Sequence, residues 1–174
     1  MNTAQPTLAP RLTQAWAVLQ TVLDPEVPVV SVCELGIVRD VTLAGAGLHV
    51  VLTPTYSGCP ATELIESNVV AALVAAGLGP VSVALQRAPA WTTDWISAEG
   101  KSKLRDYGIS PPGPASPDES VAMRFMPRHT APALDCPRCG SPDTERLSAF
   151  GSTACKALYR CRACREPFEH FKPI

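Results

Sequence analysis

The chain has 174 residues, 46% of them hydrophobic, and a formal net charge of −1. That composition excludes global disorder, and that charge leaves no strong field to draw the chain to nucleic acid or acidic lipid. Residues 1–11 carry no basic n-region and no apolar h-region, and the longest mostly apolar stretch, 69–78, is too short to span a bilayer. The expectation is therefore a cytoplasmic protein with no signal peptide and no membrane partner.

Leu12, Trp16, Leu19 and Leu23 recur at helical spacing, which predicts a helix over 11–23. Asp24 before Pro25 stops it, because a residue preceding proline avoids the α region, and Pro28 keeps the following segment extended and turning. Residues 37–43 and 48–53 are rich in β-formers on either side of Gly45, Ala46 and Gly47, which predicts a hairpin. A second helix is expected over 60–76, with Pro60 in its first turn and Gly77 at its C-terminal cap. A third strand is expected over 81–85, then a short helix over 97–106 with Glu99 in its first turn and Gly108 just beyond. This order gives an α+β domain over residues 1–105, a small sheet with helices packed on it.

Residues 106–132 hold Pro111, Pro112, Pro114, Pro117, Pro127 and Pro132 among glycines and serines. Proline at that density blocks helix interiors and central strands, so the segment reads as a linker, with Val121, Met123, Phe125 and Met126 available to dock part of it. Residues 133–174 remain as a second, small domain. The part before the linker has 6 basic and 8 acidic residues, the part after it 7 basic and 5 acidic.

Seven cysteines is an odd and high number for a cytosolic chain, and five of them follow residue 135. A disulfide framework would spread its cysteines, whereas clustered CxxC pairs point to metal. Cys136 and Cys139 form one pair, Cys161 and Cys164 the other. Two thiolates three residues apart chelate one ion on a tight turn, and a second pair closes the tetrahedron. This reads as a C-terminal zinc ribbon with a structural Zn2+, iron on the same four sulfurs being the alternative. Gly140 lets the chain turn after the second ligand, and residues 145–150 and 157–160 have strand character. A domain this short needs the metal to supplement its core.

Cys59 stands between an expected strand and an expected helix. A thiolate there would feel the helix N-terminal dipole, which makes it a better ligand or nucleophile; a buried structural cysteine fits the local pattern equally well. Cys155 is not needed to complete the ribbon and reads as a second transfer ligand, a free thiol or a small buried residue. His49, His129 and His170 are scattered and give no triad. Trp91, Asp94 and Trp95 form a candidate contact patch, with core packing the alternative for at least one of the tryptophans.

Residues 24–39, DPEVPVVSVCELGIVR, followed by TPTYSGCP at 53–60, resemble the signature of the iron–sulfur assembly and targeting family that includes SufT-type proteins. The tail FGSTACKALYRC at 150–161, followed by Glu166, Pro167 and Phe168, resembles the PaaD-type accessory proteins of the multicomponent phenylacetyl-CoA epoxidase. The resemblance implies an accessory role in phenylacetate catabolism, without enzymatic activity of its own. That role is to assist iron–sulfur cluster assembly or delivery to the epoxidase reductase subunit, which carries a [2Fe–2S] centre. It implies Cys59 as the residue that holds iron or a transient iron–sulfur cluster, with Asp24 and Glu26 as its acidic motif. The reductase is the implied partner, beside other epoxidase subunits and iron–sulfur assembly factors, and a homodimer through the first domain is expected. Without the resemblance, Asp24 and Glu26 read as a turn-forming acid and a solvated charge. Where the family often has Asp before Leu-Gly, this chain has Glu34, preceded by Cys33. Two other function classes stand beside this one. A nucleic-acid-binding ribbon would use Arg138, Arg146, Lys156, Arg160, Arg162 and Arg165, although a net +2 is weak for that purpose. A cysteine-dependent enzyme would use Cys59, for which no His–acid pair can be placed.

Overall fold

The computed structural model describes residues 8–56, 58–113 and 134–173. His129 and the docking expected of Val121, Met123, Phe125 and Met126 lie outside the described residues. The described residues divide into two compact units, one up to Trp91 together with 95–100, the other 92–94 together with those from Lys101 on.

The first unit runs α1 (Leu8–Leu19), β1 (Val38–Ala44), β2 (Gly47–Leu52), α2 (Thr62–Ala75) and β3 (Val81–Leu85). β1 and β2 form the expected hairpin, with Ala44 opposite Gly47. β3 joins β2 in parallel, Leu48 opposite Val81 and Leu52 opposite Leu85, and α2 is the crossover that parallel pairing requires. α1 packs on α2 and β1, and α2 packs on β3. Leu19, Val50, Leu52, Val69 and Leu73 are buried between these layers.

α1 ends before Leu23, the last residue of its apolar repeat, because the backbone beyond Leu19 finds other partners. Leu23 bridges to Ser31, the Asp24 N–H donates to the Val30 carbonyl at 2.9 Å, and the Val32 N–H donates to the Val22 carbonyl at 2.9 Å. The sequence predicts only a turning segment here; the structure folds it back on itself and buries Val22, Val27, Val30, Val32, Leu35 and Ile37. Gly36 ends this segment at φ 70°, where a Cβ would lie 2.6 Å from Trp95 Cβ, so no other residue fits. Trp91 is core: its indole N–H donates to the Leu35 carbonyl at 2.9 Å. Trp95 is half-buried, with the Arg39 guanidinium 3.5 Å from its ring centroid.

Next in the chain is α3 (Ala98–Tyr107). The second unit holds β4 (Ile109–Ser110), β5 (Thr144–Ser148), β6 (Lys156–Cys161) and β7 (Pro167–Phe171) in the sheet order β4–β7–β6–β5. β5, β6 and β7 pair antiparallel, and β4 pairs parallel to β7. Thus the proline-rich segment begins in order: Asp106 and Tyr107 end α3, and Ile109 and Ser110 form β4. Cys136, Ala157, Tyr159, Cys161 and Phe168 form the buried cluster, with Leu134 against it. Tyr159 stacks on Phe168 at 5.8 Å and meets His170 edge-on at 5.7 Å. No helix among the described residues is long and apolar enough to cross a membrane.

Candidate metal centre and cysteine site

The two CxxC turns bring four thiols together: the Sγ atoms of Cys136, Cys139, Cys161 and Cys164 all lie within 4.8 Å of one another. Cys136 Sγ is 3.8 Å from Cys164 Sγ, and Cys139 Sγ is 3.6 Å from Cys161 Sγ. A tetrahedron with Zn–S bonds of ~2.3 Å has edges of about 3.8 Å, so these two pairs stand at the spacing zinc requires. Each turn is closed by its own backbone. The Gly140 N–H donates to the Cys136 carbonyl at 2.9 Å and the Cys161 N–H to the Glu166 carbonyl at 3.0 Å. The residue after the second cysteine is left-handed in both turns, Gly140 at φ 72° and Arg165 at φ 66°. Glycine accepts that conformation freely, whereas arginine accepts it at a cost of about 1 kcal/mol. The Cys164 N–H lies 3.5 Å from Cys161 Sγ and, with the neighbouring thiols, holds Cys161 down to about 7 against desolvation. Donors aimed at sulfur favour the thiolate that a metal binds.

Cys155 is buried elsewhere in the unit, with Thr153 Oγ1 3.0 Å from its Sγ, and its carbonyl accepts from the Lys172 N–H at 2.9 Å. Its neighbour Lys156 is also buried and pairs with Glu169 at 3.0 Å. Glu169 further accepts from the Ser152 N–H, which holds the 150–155 loop against β7. Arg160 and Arg162 both bind the carboxylate of Glu145. Three of the six cations considered for nucleic-acid contact are therefore paired with carboxylates of the ribbon itself.

In the first unit, Cys59 is half-buried, three residues ahead of α2. Its N–H donates to the Tyr56 carbonyl at 3.3 Å, and its carbonyl accepts from the Thr62 hydroxyl at 2.9 Å. Ala61, at the N-cap of α2, offers no side-chain cap to the helix. Asp24 is buried, and its Oδ1 accepts from the N–H groups of Glu26 and Val27 at 2.9 and 2.8 Å. Its carboxylate thus shapes the turn that begins the fold-back segment. Glu34 does likewise one turn on: its Oε2 accepts from the Ser31 N–H at 2.7 Å while the Glu34 N–H donates to Ser31 Oγ at 3.1 Å. Burial, with the Glu34 charge beside it, pushes the Cys33 thiol up to about 12, so Cys33 stays protonated at neutral pH. Among the described residues the ribbon cysteines are the one group of three or more ligand side chains within metal-binding reach of each other. Asp24, Glu26 and Cys59 do not form such a group.

Residues 122–172 match the model of the PaaD zinc beta ribbon domain, and residues 12–85 match that of the iron–sulfur cluster assembly protein family. The chain is 48% identical over 165 residues to the D component of the putative 1,2-phenylacetyl-CoA epoxidase of Escherichia coli (strain K12), covering 95% of this chain and 94% of that one. It is 34% identical over 88 residues to an Fe–S protein maturation auxiliary factor of Porphyromonas gingivalis, covering 49% of this chain and 83% of that one. A solved domain of unknown function from Bacillus anthracis superposes with a TM-score of 0.53 at 28% identity, over 56% of this chain and 94% of that one.

Proposed function

Because the chain belongs to the PaaD family, that of the D component of 1,2-phenylacetyl-CoA epoxidase, we propose that it is a cytoplasmic accessory protein of such an epoxidase. In this reading it is not itself an enzyme, and it assists iron–sulfur loading of the [2Fe–2S] reductase subunit through Cys59. The observation that carries the proposal is the union, in one chain and over 94% of that relative's length, of an iron–sulfur assembly domain with the ribbon.

The two cysteine sites have separate tasks. Cys136, Cys139, Cys161 and Cys164 would hold zinc, which when bound would supply fold stability rather than chemistry. Cys59 is a single, half-buried thiol at a strand-to-helix junction. A single thiol holds iron or a cluster only while other ligands complete the sphere, which suits transient carriage. Delivery is then ligand exchange: a client thiolate forms a bond to iron as the bond to Cys59 breaks. The iron keeps its oxidation state, and the released Cys59 thiolate takes up the proton the client thiol gave up. Asp24 serves by holding the turn in place through the Glu26 and Val27 N–H groups.

The test is the iron content and visible absorption of reductase purified from cells that carry Cys59→Ala. The expected result is reductase lacking its [2Fe–2S] centre, with accessory protein present at wild-type level and zinc content unchanged. Removing this small side chain is expected to cost about 1 kcal/mol of stability or less. Normal cluster loading in that strain would show that Cys59 is a packing residue and would remove the central claim. Direct binding of the reductase by this chain is expected in a pull-down with purified proteins.

A further inference from the structure

Among the described residues each sheet leaves two edge strands, β1 and β3 in the first unit, β4 and β5 in the second. Edges are templates for pairing with another chain, and proteins guard them with charge, irregular register or shortness. β1 exposes Arg39 and Asp40 and shifts register between Val38 and Asp40. β5 carries Glu145 and Arg146 and shifts register between Arg146 and Ser148. β4 has two residues. β3 has none of these protections. Val81, Ser82, Val83, Ala84 and Leu85 include no charge, no proline and no register shift, and Leu85 is 41% exposed.

The direction of the open hydrogen-bonding groups follows from the bonds already made. The Leu48 N–H donates to the Pro80 carbonyl, and the Gln86 N–H donates to the Leu52 carbonyl. Even-numbered residues of this segment therefore bond toward β2. Along a strand the N–H and C=O groups alternate sides, so those of Val81, Val83 and Leu85 point to the open edge.

We propose that this edge is an interface between two copies of the chain: β3 pairs antiparallel with β3 of a second copy about a two-fold axis at Val83, making one continuous sheet. The strand is self-complementary in that register. Val83 lies opposite Val83, Val81 opposite Leu85, and Ser82 opposite Ala84. Every residue with outward hydrogen-bonding groups then meets another such residue, giving about six new backbone bonds. Branched apolar side chains share one face across the seam, and the small Ser82 and Ala84 share the other. A slip of one residue would set outward groups against inward ones and exchange the faces. Pairing β3 with β1 of another copy would meet Arg39, Asp40 and the irregular register, and such a head-to-tail contact cannot close as a two-fold dimer. The inference stands independently of the iron–sulfur reading.

Light scattering on the full chain, with amide hydrogen exchange by NMR, tests it. The expected result is the mass of a dimer in the micromolar range. The amides of Val81, Val83 and Leu85 should be protected in the dimer and exposed on dilution, while those of Ser82 and Ala84 stay protected throughout. Val83→Pro removes an outward N–H without touching a bond to β2, and Leu85→Lys places a charge on the seam. Either variant, folded by circular dichroism, should show half the wild-type mass. A monomeric wild type overturns the proposal whatever the variants do, and so does a dimer in which the Val81, Val83 and Leu85 amides exchange freely. A folded Leu85→Lys chain that remains dimeric also overturns it.

Discussion

The interiors of the two units differ in kind. In the first, the buried side chains are largely aliphatic and spread over several elements: Leu19 on α1, Val30 and Val32 in the fold-back segment, Val50 and Leu52 on β2, Val69 and Leu73 on α2. Each such side chain contributes about 1.5–3 kcal/mol on burial, so no single position decides whether this unit folds. In the ribbon, two of the five residues of the buried cluster are Cys136 and Cys161, which belong to the converging four-thiol group. A structural zinc contributes about 10–16 kcal/mol at one point. With zinc on those thiols, the same chain would hold a unit whose stability is distributed and a unit whose stability is concentrated.

Metal removal is the strongest way to break that contrast. The double variant Cys136→Ser, Cys164→Ser is expected to lose its zinc and melt residues 134–173 while residues 8–91 keep their NMR spectrum. Elemental analysis and the spectrum check it together; a folded ribbon with full zinc in that variant would sink the assignment.

The next effect belongs to the buried pair under the ribbon loop. Glu169→Gln leaves the Lys156 ammonium buried without its counter-charge, which is expected to cost about 3–5 kcal/mol. Lys156→Met combined with Glu169→Gln should recover most of that loss. Thermal unfolding of zinc-loaded protein is the measurement, and equal destabilisation of single and double variants would show that the pair is not coupled.

Leu73→Ala sharpens the contrast from the other side. Truncating a wholly buried leucine is expected to cost about 2–5 kcal/mol. The loss should fall on the first unit alone, with zinc stoichiometry unchanged. Denaturant titration followed separately on amides of the two units tells the difference.

The smallest effect is a pH dependence. Burial lowers the pKa of His170 from 6.5, against the opposing hydrogen bond to the Ser110 carbonyl. Above 6.5 the ring is neutral both folded and unfolded, and its contribution is fully present. As pH falls below that value the unfolded ring takes up a proton that the folded ring refuses, so ribbon stability declines until the folded pKa is passed. His170→Gln should flatten this part of the pH–stability curve at constant zinc occupancy. An unchanged slope would assign the dependence to other groups.

Much of the fold can be read locally. Gly45 and the β-formers around it mark the hairpin, and the apolar spacing of α1 and the Gly77 stop of α2 mark the helices, because backbone propensity and side-chain period act over a few residues. The CxxC pairs name the sulfurs that converge. β7 was legible in principle, since Phe168 and His170 alternate with Glu169, but a run of five residues gives a weak period. The core role of Val27, Val30 and Val32 was hidden because that segment has no regular period, only bonds to residues across its own turn. Lys156 read as a surface cation, and nothing local could show that Glu169 would bury it.

The sequence by itself determined which elements form, which four thiols pair up in CxxC turns, and that Cys59 precedes a helix, since each rests on neighbours within one or two turns of chain. Only the tertiary structure decided that Ile109 pairs with Glu169 in a parallel strand, that the Asp24 carboxylate turns to its own backbone, and that β3 is, among the described residues, an edge strand. Those outcomes depend on which distant groups a backbone amide, a carboxylate or a strand edge meets once the chain is packed. Chain order does not encode that choice locally, because burial and hydrogen-bond partnership are properties of the whole fold.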